Sequence, residues 1–138
     1  MSVNKESILI IDDDKLNIIA LTRILSSDYQ VYFERDGESG IEAAKTLKPD
    51  LILLDVIMPK MTGFEVIKIL KADEDICNIP VIFLTGRRGI QDEEAGFALG
   101  AIDYITKPFS VPVVKLRVGN QLKIIQQMRQ IDSLMAAK

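Results

Sequence analysis

The chain has 138 residues, 48% of them hydrophobic and 27% charged, with a formal net charge of -3. That is one domain's length, with enough apolar material to bury a core unaided and no apolar run approaching a membrane span. The absence of histidine excludes Ser-His-Asp catalysis and histidine zinc centres, so any phosphohistidine chemistry must draw on another molecule. Cys77 is the single cysteine, which rules out an internal disulfide and points to a reducing compartment. Met1 to Ser7 lack the apolar core of a signal peptide, and a cytoplasmic location is expected. Charge is divided unevenly: Val113 to Lys138 carry five basic residues against Asp132, leaving the rest of the chain acidic. A nucleic-acid binder would show its basic face on the folded domain, so contact with nucleic acid is not expected of this chain.

In chain order, Ile8-Leu9-Ile10-Ile11 is a β-branched run of strand length that stops abruptly at Asp12-Asp13-Asp14. Leu16, Ile19, Ala20, Arg23, Ile24 and Leu25 then approximate helical spacing, with Asp13 or Asp14 placed to cap the helix. Gln30 to Glu34 reads as a second strand. Asp36-Gly37 turns the chain, and Ser39 to Leu47 forms a helix with Ile41, Ala44 and Leu47 on one side. Leu51 to Leu54 is apolar without alternation, the pattern of a strand covered on both faces of a parallel sheet, and it delivers Asp55 at its end. Past the loop Pro59 to Gly63, Phe64 to Leu70 is helical. Val81 to Leu84 is another buried strand, ending at Thr85-Gly86, and Arg87 to Gln91 is a loop. Asp92 to Leu99 is a short helix closed by Gly100, and Ile102 to Thr106 is a fifth strand leading to Lys107-Pro108. Ser110 can cap the last helix, with Pro112 in its tolerant first turn.

Five strands alternating with helices predict an α/β fold, a doubly wound parallel sheet with right-handed crossovers. Asp12, Asp13, Asp14, Asp55, Thr85 and Lys107 then converge on one sheet edge, where open α/β sheets bind ligands. Clustered carboxylates need a cation, and oxygen-only ligands favour Mg²⁺ or Mn²⁺; a lysine and a hydroxyl beside them suit phosphoryl oxygens. The set fits phosphoryl transfer onto a carboxylate. Taken singly these residues have plainer readings. Asp12 to Asp14 would be a helix cap, Thr85 a strand-end hydroxyl, Lys107, Arg87 and Arg88 solvated charges, Tyr104, Met58 and Met61 packing.

Ile10 to Asp14, Asp50 to Pro59, Met61-Thr62-Gly63, Leu84-Thr85-Gly86 and Gly100 to Phe109, in this order and spacing, resemble the receiver domain of bacterial two-component response regulators, the CheY-like family. The resemblance spans Ser7 to about Asn120. It implies a flavodoxin-like (βα)5 fold with strand order 2-1-3-4-5, and a phosphoacceptor module in which Asp55 takes a phosphoryl group from a histidine kinase or histidine phosphotransfer protein. Asp13, Asp55 and the backbone carbonyl of Ile57 would hold Mg²⁺, with Asp12 acting through water. Thr85 and Lys107 would contact phosphoryl oxygens, Tyr104 would swing inward as Thr85 moves, and Lys107-Pro108 would be cis. No turnover is expected beyond self-phosphorylation and autodephosphorylation. Thr62 stands where the family often has aspartate and Gly86 where alanine is commoner, while Ile57 and Arg87 occupy positions that tune phosphoryl lifetime.

Two other functions fit parts of the chain. Asp12 and Asp14 match the Asp-x-Asp start of a haloacid-dehalogenase-like phosphatase, although Leu16 stands where that motif continues with threonine or valine. An unphosphorylated scaffold is the third. The receiver is assigned to residues 1–120 and a helical extension to 121–138, a coiled coil or a linker to an output domain outside this sequence. Ile124, Met128, Ile131 and Met135 recur at spacings of four, three and four, a coiled-coil seam through which a homodimer would form.

Overall fold

The computed structural model describes residues 5–86 and 95–136. Five strands, β1 (Ser7–Ile11), β2 (Gln30–Glu34), β3 (Leu51–Asp55), β4 (Val81–Thr85) and β5 (Asp103–Thr106), form one sheet in the order β2-β1-β3-β4-β5. All four neighbouring pairs are parallel. The helices are α1 (Lys15–Leu25), α2 (Gly37–Leu47), α3 (Gly63–Ala72), a helical turn α4 at 95–98, and α5 (Val111–Ala136). The part of the expected fourth helix before residue 95, and the loop with Arg87 and Arg88, lie outside the described residues.

The unbroken apolar runs are explained by cover on both faces. Leu9, Ile11, Ile52, Leu54, Val81 and Phe83 pack with Ile41, Ala44, Val66, Ile67 and Leu70 of α2 and α3. Their neighbours Ile8, Ile10, Leu51, Leu53, Ile82 and Leu84 pack with Ile18, Leu21 and Leu25 of α1 and Val114, Val118 and Leu122 of α5. Successive side chains leave a strand on opposite faces, so two apolar layers require every strand residue to be apolar. The two edge strands, β2 and β5, are the partly exposed ones, with Phe33 of β2 facing outward.

Helix boundaries follow their caps. Asp14 accepts from the Leu16 amide to start α1, and Asp36 accepts from the Ser39 amide to start α2, two residues before the expected Ser39. Thr62 and Glu65 form a reciprocal capping box on α3. The buried face of α1 differs from the sequence reading. Leu16 and Ile19 are exposed, and Ile18, Leu21 and Leu25 enter the core. A helix starting at Lys15 turns positions 18, 21 and 25 toward the sheet, and the row through Leu16, Ile19 and Arg23 falls outside.

α5 spans 26 residues, about 39 Å at 1.5 Å per residue. Gly119 does not interrupt it. Its first half buries Val114, Val118 and Leu122, and its second half passes the opposite edge of the sheet from Asp55. There Gln126 donates to Glu6 at 2.7 Å and Arg129 pairs with Asp50 at 2.5 Å. Asp50 in turn accepts from the Ser7 amide at 2.8 Å, joining the starts of β1 and β3. Ile124, Met128, Ile131 and Met135 all face solvent.

Candidate functional site

The carboxyl ends of β1, β3, β4 and β5 meet at one edge, as parallel pairing demands. Register aligns Ile11 with Leu54, Asp55 with Leu84, and Thr85 with Thr106. Asp55, Thr85 and Lys107 at three of these ends therefore open into a common pocket of about 320 Å³, lined also by Asp13, Asn17 and Ile57, while Asp12 at the fourth is fully buried.

Asp12 is fully buried. Its Oδ1 accepts from the Asp14 amide at 2.9 Å and its Oδ2 from Asn17 Nδ2 at 3.2 Å. Asp55 is 4% exposed and its Oδ1 accepts from the Ile57 amide at 3.3 Å. Lys107 reaches both acids, with Nζ 3.1 Å from Asp55 Oδ1 and 3.6 Å from Asp12 Oδ2. One ammonium thus faces two buried carboxylates, and Asp13 adds a third nearby. Burial, followed by repulsion from Asp12, pushes the Asp55 carboxyl up to about 7, against the opposing pull of Lys107.

Asp12, Asp13 and Asp55 each offer an oxygen within 4.8 Å of the others. Three hard oxygen donors in a cluster short of positive charge fit a divalent cation of the Mg²⁺ type. Ile57 stands at the lip of this pocket. Thr85 is buried at the end of β4; its hydroxyl donates to the Gly86 carbonyl at 3.3 Å, and its own carbonyl accepts from the Lys107 amide at 2.7 Å. The Lys107–Pro108 bond is cis.

Tyr104 is 5% exposed, its ring 5.7 Å from Phe83 and 4.9 Å from Phe97. The room it occupies exists because residue 96 is glycine: a Cβ there would fall 1.8 Å from the Tyr104 hydroxyl oxygen. Gly63 has a related role next to Asp55, since a Cβ there would lie 2.3 Å from the Asp55 carbonyl oxygen, a contact only glycine avoids.

Asp14 is not brought into the cluster as a reacting acid. It is exposed at the edge of the pocket, caps α1 through the Leu16 amide, and is not one of the three carboxylates whose oxygens cluster. Asn17 is the residue the sequence reading passed over. Its signal was its place in the first turn of α1, five positions after Asp12.

The family model for the response regulator receiver domain matches residues 8–118. The chain belongs to this family. Receiver domains of two-component systems are phosphoacceptors, and they bind Mg²⁺ at an acidic cluster such as Asp12, Asp13 and Asp55 form here. The receiver is 43% identical over 117 residues to the DNA-binding dual master transcriptional regulator RpaA of Synechocystis, covering 84% of this chain and 48% of that protein. It is 34% identical to the receiver domain of a signal transduction histidine kinase from Syntrophus aciditrophicus, with a TM-score of 0.77 over 86% of this chain and 90% of that one. Chemotaxis protein CheY4 of Vibrio cholerae superposes with a TM-score of 0.78 at 27% identity, over 86% and 98% of the two chains. The receiver spans between about a quarter and a little over half the length of the first curated relatives it matches. Among the described residues no helix is long and apolar enough to cross a membrane.

Proposed function

We propose that Asp55 is the phosphoacceptor of a cytoplasmic two-component phosphorelay, with a histidine kinase or histidine phosphotransfer protein as donor. The observation that carries this reading is the contact of Lys107 Nζ with Asp55 Oδ1 at 3.1 Å, beside the clustered carboxylates of Asp12 and Asp13. In the transfer an Asp55 oxygen forms a bond to phosphorus, the P–N bond to the donor imidazole breaks, and the imidazole leaves with that electron pair. Asp55 must be ionised to attack, and Lys107 favours that form. Asp13, Asp55 and the Ile57 carbonyl would hold Mg²⁺, with Asp12 acting through water; the cation supplies charge neutralisation for the phosphoryl oxygens. Lys107 then turns from the free carboxylates to the phosphoryl group, while the Thr85 hydroxyl leaves the Gly86 carbonyl to donate to a phosphoryl oxygen.

Phosphorylation adds roughly -1.5 to -2 charge at the sheet edge. The response passes through Thr85 to Tyr104 and the face of α4, β5 and α5. The receiver occupies 1–120 in this reading. The extension 121–138 serves as a dimerisation helix through Ile124, Met128, Ile131 and Met135 or as a linker to an output domain, and the chain itself acts on proteins rather than nucleic acid. Incubation with a kinase carrying labelled phosphohistidine tests the reading. The label should move to the wild-type protein in Mg²⁺, and neither to Asp55→Asn nor to wild type in EDTA. Transfer to Asp55→Asn at the wild-type level would refute it.

A further inference from the structure

We propose that Asn17 is a positioning residue for the cation site, its side-chain amide holding the Asp12 carboxylate in place when Lys107 is committed elsewhere. The inference rests on the proposed role of Asp55. Asp12 is fully buried, and a buried carboxylate without partners carries a large desolvation penalty. Its Oδ1 has the Asp14 amide at 2.9 Å, a backbone donor fixed by the start of α1. Its Oδ2 has two side-chain donors, Asn17 Nδ2 at 3.2 Å and Lys107 Nζ at 3.6 Å.

Lys107 stands closer to Asp55 than to Asp12, and a phosphoryl group on Asp55 would draw it further away. Asn17 is then the one side-chain donor left to Oδ2 among the described residues. Its amide is neutral, so it orients the carboxylate without cancelling the charge that a cation needs, unlike a second lysine. Asn17 sits in the first turn of α1, where side chains lean back toward the helix start and so toward Asp12. Helix stability does not account for asparagine here, because alanine, leucine and glutamine are all better interior helix formers.

The test measures Mg²⁺ affinity directly, by calorimetric titration of the full chain, in wild type and in Asn17→Ala, Asn17→Leu and Asn17→Gln. Supporting groups behind metal ligands typically change affinity by about 10- to 100-fold. Alanine and leucine should weaken Mg²⁺ binding by about tenfold, while glutamine, which keeps an amide donor, should stay within about threefold of wild type. Circular dichroism confirms that the variants fold. A purely helical role would improve or leave level all three variants, so it cannot produce a split between alanine and leucine on one side and glutamine on the other. Equal affinity in all four proteins, or equal loss in all three variants, would overturn the role of Asn17. Absence of Mg²⁺ binding in the wild type would instead overturn the underlying reading of the site.

Discussion

Asp55 carries two demands that conflict, burial in a strand end and ionisation for attack, and its carboxyl raised to about 7 records the conflict. An unfolded aspartate titrates near 3.9. Between those two values the folded metal-free protein holds a proton that the unfolded chain has lost, so stability falls as pH rises through the window and the full penalty is present above about 7. In EDTA, Asp55→Asn should therefore melt above wild type by a margin that grows from pH 4 to pH 7 and then levels off. Calorimetric scans across that range check it, and a margin independent of pH would contradict it. Tyr104 packs against Gly96 as well as against the Phe83 and Phe97 rings. Gly96→Ala would place a methyl group on its hydroxyl and 2.8 Å from the Phe83 ring, which should force Tyr104 outward and destabilise the fold by about 1–3 kcal/mol in a urea titration. The residues that gather at the sheet edge were legible in the sequence because each is a polar residue ending an apolar run. Asn17 and Gly96 were not, since their roles depend on what lies across space from them, and neither stands out from its own sequence neighbours.

At the scale of elements, strands were read most securely, because Leu51 to Leu54 and Val81 to Leu84 admit little besides double-sided burial. The existence of α1, α2, α3 and α5 was equally plain, but helix facing was not. In α1 the row through Leu16 looked as apolar as the row through Ile18, and only the direction in which the chain leaves Asp14 decides between them. α5 shows the same limit, since nothing in its sequence announced that Arg129 would reach Asp50 at the start of β3. This pair is partly exposed and its value for stability is under about 1 kcal/mol. Its effect should be local. Arg129→Ala is expected to leave the melting temperature almost unchanged while amide exchange quickens over residues 123–136 and stays level in the sheet. Uniform exchange along α5 in both proteins would show that the pair does not hold the extension.

For the whole molecule, right-handed crossovers and double cover predict a doubly wound parallel sheet, the order β2-β1-β3-β4-β5 was implied by the family resemblance, and the converging strand ends follow from parallel pairing. The helical extension makes the molecule longer than its sheet requires and exposes Ile124, Met128, Ile131 and Met135 in one row. If that row is a dimer seam, light scattering will show a mass rising toward twice that of one chain with concentration, and Ile131→Glu will hold the protein monomeric with its melting temperature preserved. A monomer at all concentrations would leave the extension as a linker alone. The central claim is chemical and can be read in one measurement. The protein is treated with acetyl phosphate and Mg²⁺, its acyl phosphate is reduced with borohydride, and the reduced residue is mapped by peptide mass spectrometry. The account predicts a single reduced position, residue 55, lost when Mg²⁺ is withheld; reduction at Asp12, Asp13 or any other carboxylate with residue 55 untouched would contradict it.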